Sequence, residues 1–253
     1  MEQFMKFFYG IVTIFIGSFL FTGILENYKN DVEVKSLLVE KYYLPARNSM
    51  TQCLSKHNEY INAYSDYMGT QELMYQELNR MKEDSKLVNN FDYTLWMKAL
   101  LEKHSENNKK YIKLQNEVDP CYIDALTKLE LLNIVTASYE NYHELLTIES
   151  NKFNNKQKEL SAKYMNMIGD FQIQDIVKIF NKFIESNFKS QEAMNELLKT
   201  QDLFNKSKSL WFEREQEKFK LYEKIFLDTN NRTALKINNM YKINFIDWIK
   251  QIF

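Results

Sequence analysis

The chain has 253 residues, of which only five are Gly and two are Pro, so it lacks the turn formers that a sheet protein needs every few residues. Its 33 Lys and Arg are balanced by 34 Asp and Glu with no basic stripe, which argues against a nucleic-acid binder. With 45% hydrophobic residues there is material for a sizeable core, and the expectation is an all-α protein of long helices rather than a disordered chain.

The first element is the uncharged run from Phe7 to Leu25. As a helix it reaches about 28 Å, close to the ~30 Å hydrocarbon core of a bilayer, and it predicts one transmembrane anchor within residues 1–27. A cleaved secretory signal would be shorter and end in a small-x-small pair, which Ile24-Leu25-Glu26-Asn27 does not supply. A buried soluble helix is the other alternative, but no polar face interrupts the run, in which Thr13, Ser18 and Thr22 are tolerable in lipid. Gly10, Thr13 and Gly17 fall on one side of it and form a candidate packing face for self-association or for another membrane subunit. Basic residues nearly balance across the run, so charge does not set an orientation.

Residues 28–44 continue a helical stripe through Val34, Leu37, Leu38 and Tyr42 as a juxtamembrane helix, and Pro45 suits the first turn of a new one. Residues 45–230 are expected to form an antiparallel bundle of about four or five helices, some long and coiled-coil-like. The first spans about Ala46 to Ser85, with Met50, Leu54, Ile61, Tyr64, Met68, Leu73, Leu78 and Met81 mostly at spacings of three, four or seven and Gly69 as a weak point. Lys86 to Asn90 reads as a turn, and Asp92 is the candidate cap of the next helix, through Leu95, Trp96, Leu100, Leu101, Tyr111 and Leu114.

Asp119-Pro120 reads as a further helix start, because Asp supplies a capping oxygen and Pro lacks only an N–H that the first turn leaves unused. That helix carries Ile123, Leu126, Leu129, Leu132, Val135, Tyr139, Tyr142, Leu145 and Leu146 and runs to about Met167, before a break at Gly169-Asp170. Ile173, Ile176, Val177, Phe180 and Ile184 then open the most regular amphipathic pattern of the chain, which extends to Phe204 as a partner or core seam. Asp228 to Asn231 interrupts the pattern, and residues 231–253 form a last amphipathic helix. Its Tyr241, Phe245, Trp248, Ile249 and Ile252 crowd an aromatic face among Lys236, Lys242 and Lys250, which suits a membrane interface, a partner's groove or the closing of the chain's own bundle.

Catalytic signals are poor. His57, His104 and His143 are far apart, and Glu140 with His143 makes a single Glu-x-x-His where a di-iron bundle needs two. With three of the five glycines in the anchor there is no phosphate-cradling loop. No catalytic, metal or cofactor residue is therefore assigned. Cys53 and Cys121 join the starts of two helices if the domain faces an oxidising compartment, and are buried thiols in a reducing one. The expected function is a non-enzymatic membrane-anchored scaffold or interaction subunit whose partners are the bilayer and another protein or a second copy. A membrane-acting effector that oligomerises and permeabilises is the alternative, and an enzyme with an unfamiliar helical site around Glu140 and His143 is the second.

Overall fold

The computed structural model describes residues 22–84, 86–168 and 173–240, and among these there is no strand. Helix α1 (22–38) passes through a wider π turn, Val39–Tyr43, directly into α2 (Leu44–Glu83). A 3-10 turn, Leu87–Asn89, leads to α3 (Phe91–Val135), followed by α4 (Tyr139–Ile168), α5 (Ile173–Glu185), α6 (Gln191–Lys199) and α7 (Gln201–Met240). The long helices contribute to two compact units. A body holds residues 49–125 and 143–226, and a terminal unit holds, of the described residues, 22–48, 126–142 and 227–240.

In the body, side-chain contacts fix the directions of the four long helices. Ser49 donates to Asp124 at 2.8 Å, Lys56 to Glu117 at 2.9 Å and Asn107 to the Asp66 carbonyl at 3.1 Å, so α3 descends as α2 climbs. Tyr75 bonds Thr200 at 2.8 Å and Lys208 donates to Glu72 at 3.0 Å, which sets α7 antiparallel to α2 as well. Lys156 pairs with Glu213 at 3.0 Å and Lys224 with Glu149 at 4.0 Å, setting α4 antiparallel to α7. The result is an up-down-up-down bundle of α2, α3, α4 and α7. Helices α5 and α6 form a short hairpin whose Phe183, Phe188, Met194 and Leu197 pack with Tyr75, Leu78 and Met81 of α2 and Met97 of α3.

Several helix boundaries differ from the sequence expectation, each for an identifiable reason. Pro45 separates nothing: the Leu44 N–H bonds back five residues to the Val39 carbonyl, and the loosened π turn carries the helix past the proline. The cap of α3 is Asn90, whose Oδ1 accepts the Tyr93 N–H at 3.2 Å, and Asp92 sits in the first turn. Pro120 lies inside α3 and starts no helix. An interior Pro costs roughly 3 kcal/mol. Here its neighbours are held on both sides: Asp119 pairs with Lys218 instead of capping, Cys121 is bonded to Cys53, and Val118 and Tyr122 are buried.

The amphipathic pattern after Ile173 is divided into α5, α6 and the start of α7. Asn187 and Phe188 turn left-handed at φ 51° and 66°, and the Phe188 N–H bonds the Phe183 carbonyl at 3.0 Å in a 6→1 cap. Ser190 then caps α6 by accepting from the Ala193 N–H at 3.2 Å. Gly69, in contrast, sits within unbroken α2, where a Cβ would meet nothing within 4 Å.

In the terminal unit, α3 ends one residue short of Thr136, where the sequence had suggested continuity to Met167. The Ser138 N–H bonds the Asn133 carbonyl at 2.7 Å, with Ala137 at φ 50°, and the buried Thr136 hydroxyl donates to the Leu132 carbonyl at 2.8 Å. Asp228 to Asn231 does not interrupt α7, because Thr229 and Thr233 lie in the buried stripe with Ile237 rather than on a solvated face. Lys236 donates to the Ala137 carbonyl at 2.6 Å and Lys35 to Asn238 at 3.2 Å, tying α7 to the α3–α4 turn and to α1.

Cys53 and Cys121 form a disulfide between α2 and α3 with Cα atoms 5.5 Å apart, closing a loop of sequence separation 68. In the chain-entropy account such a loop stabilises by about 4 kcal/mol. Reduction, or replacement of Cys53 with Ser, should therefore lower the urea midpoint markedly, and maleimide should label the unfolded chain only after reductant. An unchanged midpoint would mean that the bridge adds nothing to stability.

Candidate functional site

Each unit offers a candidate region. In the body it begins at His57 of α2, which is wholly buried. Its Nδ1 lies 2.9 Å from the Tyr122 hydroxyl of α3, and its Nε2 lies 3.3 Å from Glu215 Oε2 of α7. Burial, together with the nearby Tyr222 phenol and Glu215 carboxylate, pushes the Tyr122 pKa up, so the phenol keeps its proton at this hydrogen bond. The Nε2–Glu215 contact is not an aligned hydrogen bond, which leaves both Nε2 and Glu215 Oε2 without a hydrogen-bond partner. Arg214 Nε stands 3.6 Å from the other carboxylate oxygen.

This three-helix junction lies one turn from the disulfide: Cys53 precedes His57 by four residues and Cys121 adjoins Tyr122. Aromatic rings extend from it along the bundle. Tyr122 stacks on Tyr222 at 3.7 Å, Tyr60 on Tyr111 at 5.4 Å and Tyr64 on Trp211 at 3.4 Å. Tyr67 stacks on His104 at 4.6 Å, and Thr70 Oγ1 meets His104 Nδ1 at 3.0 Å. Such pairs contribute about 0.5–1.5 kcal/mol each beyond their burial. Arranged this way, the junction is a sealed polar brace: it orients helices and offers no access to a substrate.

In the terminal unit a cleft of about 730 Å³ lies between α1 and α7, lined by Lys35, Val39, Tyr43, Ala234, Leu235 and Ile237 among others. Leu37, Leu131, Ile134 and Leu235 are exposed large apolar residues of the same unit, with Leu235 64% accessible. Exposed apolar side chains of this size mark an interaction surface where they gather into a patch that is not covered.

Of the residues singled out from the sequence, Phe180 and Ile184 pack against the body's own core, so these members of the seam are core rather than partner face. Ile173, Ile176 and Val177 are on α5, and their side chains lie outside what is described. Gly10, Thr13 and Gly17, and likewise Tyr241, Phe245, Trp248, Ile249 and Ile252, lie outside the described residues. Of the run from Phe7 to Leu25, residues 22–25 are helical and the rest lies outside; among the described residues no helix is long and apolar enough to cross a membrane. Glu140 and His143 are both exposed on α4, and no group of three metal-capable side chains occurs among the described residues. The sequence reading missed Glu215 and the role of His57. The available signal was the spacing of His57, Tyr60, Tyr64 and Tyr67 along one face of α2, which places a polar ring in an aromatic core stripe.

Two outcomes are expected. Removing Glu215 from the buried pair with Glu215→Ala should cost about 3 kcal/mol by urea denaturation. Glu217→Ala, which breaks a surface pair with Lys220, should barely move the midpoint. Burial lowers the His104 pKa below its usual 6.5, partly offset by a hydrogen bond to the Tyr67 backbone. The unfolded chain thus takes up this proton more readily, so the His104 contribution is complete above about pH 6.5 and is lost as the pH falls below it. Thermal midpoints should decline from pH 7.5 to 5, and less steeply in His104→Gln.

No protein-family model matches this chain, and no curated protein or solved structure does either.

Proposed function

We propose that this chain is a membrane-anchored, non-enzymatic helical subunit that holds a protein partner, or a second copy of itself, close to the bilayer. The observation that carries the reading is the uncharged run Phe7–Leu25, whose last residues open α1 with no proline between them. Its length matches one membrane span. The end of α7, which precedes the aromatic segment with Tyr241, Phe245 and Trp248, lies beside α1 at the Lys35–Asn238 hydrogen bond. That neighbourhood supports a second, interfacial contact by the same end of the chain.

The disulfide supports placing the body on the oxidising side of the membrane. The body is then a stiff domain, braced by the crosslink and the ring stack, and the exposed apolar residues Leu37, Leu131, Ile134 and Leu235 of the terminal unit are the partner surface. Confinement to the membrane raises the partner's effective concentration, so a modest intrinsic affinity suffices.

Alkaline carbonate washing should leave the full chain in the membrane pellet and release a variant lacking residues 1–27; release of the full chain would overturn the anchor. Gentle detergent extraction followed by native mass determination should then yield a defined complex containing a second protein. A homo-oligomer that conducts ions would instead favour a membrane-acting effector.

A further inference from the structure

A second cleft, wholly within the body, is independent of the terminal unit and of the anchor. It has a volume of about 690 Å³ and is lined by residues of α2, α3, α4 and α7. That volume falls in the range of small-molecule sites, about 300–1,000 Å³. Its wall includes Tyr64 stacked on Trp211 at 3.4 Å and Tyr67 stacked on Tyr111, nearly coplanar at 6°. Flat aromatic walls favour a flat, polarizable guest over a branched aliphatic one.

The polar lining combines amides and hydroxyls, which both donate and accept, with the guanidinium of Arg214, which only donates. The Gln157 amide nitrogen is buried without an acceptor, a costly arrangement that a bound acceptor would relieve. Burial pushes the Tyr64 and Tyr67 phenols above their usual range, so both keep their protons. Arg214 is the one charged residue of the lining, and no carboxylate lines the cleft. Its guanidinium has five N–H donors, of which the contact with Glu215 engages Nε. A cationic guest, the usual occupant of an aromatic cage, would find no carboxylate in the lining, since Glu215 contacts Arg214 from outside it.

We infer that this cleft binds a planar aromatic anion, its rings against the Tyr64, Tyr67, Tyr111 and Trp211 walls and its acidic group toward Arg214 and Gln157. An aromatic carboxylate is the simplest such chemistry, since a guanidinium fork matches two carboxylate oxygens.

The full chain, reconstituted in nanodiscs, is titrated calorimetrically with 2-naphthoate, with 2-naphthylmethylammonium and with decanoate. Saturable 1:1 binding of 2-naphthoate is expected, at least tenfold tighter than either of the others. Arg214→Gln should weaken it tenfold or more, and Gln157→Leu several-fold, with thermal melting recorded for both. Gln157 is on α4, which supplies none of the residues of the His57–Tyr122–Glu215 brace, so it provides a second test should Arg214→Gln disturb that brace. Absence of saturable 2-naphthoate binding, equal or tighter binding of the cation or of decanoate, or full binding by both folded variants would overturn the assignment.

Discussion

The register of α2 against α3 is the constraint on which the rest of the body depends. The Cys53–Cys121 bond pins it covalently, and every pairing outward from that point agrees with it: Lys56 with Glu117, Asn107 with the Asp66 carbonyl, and Thr70 with His104. A slip by one residue would rotate each of these partners by about 100° around its helix and separate them all. Because α7 packs against both helices, the same register places Trp211 against Tyr64 and Tyr222 against Tyr122.

The core built on that register is unusual in carrying polar groups on large rings. Tyr60, Tyr64, Tyr75 and Tyr122 are all nearly or fully buried, and each hydroxyl must find a partner or leave a penalty. Tyr122 finds His57 and Tyr75 finds Thr200, contacts that require particular helices to meet at particular heights. An aliphatic core of equal volume would tolerate sliding. This one favours a single alignment of the helices, and its His57 Nε2 and Glu215 Oε2 atoms stay without a hydrogen-bond partner.

The sequence made the helical class and the span of α2 legible, because few breakers and a sustained three-four spacing leave little choice. It misled where one residue type serves two purposes. Asp119-Pro120 has the chemistry of a helix start, yet a salt bridge to Lys218 and the adjacent crosslink keep the helix intact, and those are long-range facts. Ala137, Asn187 and Phe188 reverse the chain with positive φ where no glycine announces it. Thr229 and Thr233 look like surface residues but occupy the buried stripe of α7. The polar brace was hidden for the same reason: His57, Tyr122 and Glu215 come from three helices, and only their packing brings them together.

The crosslink also gives the body a topology that a linear chain lacks. Residues 53 to 121 form a covalent ring that includes the turn around Leu87–Asn89, where the chain is shortest of helical protection. A protease that cuts there opens the ring without releasing a fragment, so the nicked protein keeps its mass and both halves of the hairpin remain attached to α1 on one side and α4 on the other. Damage at the exposed tip is in this way uncoupled from loss of the molecule for as long as the surroundings stay oxidising.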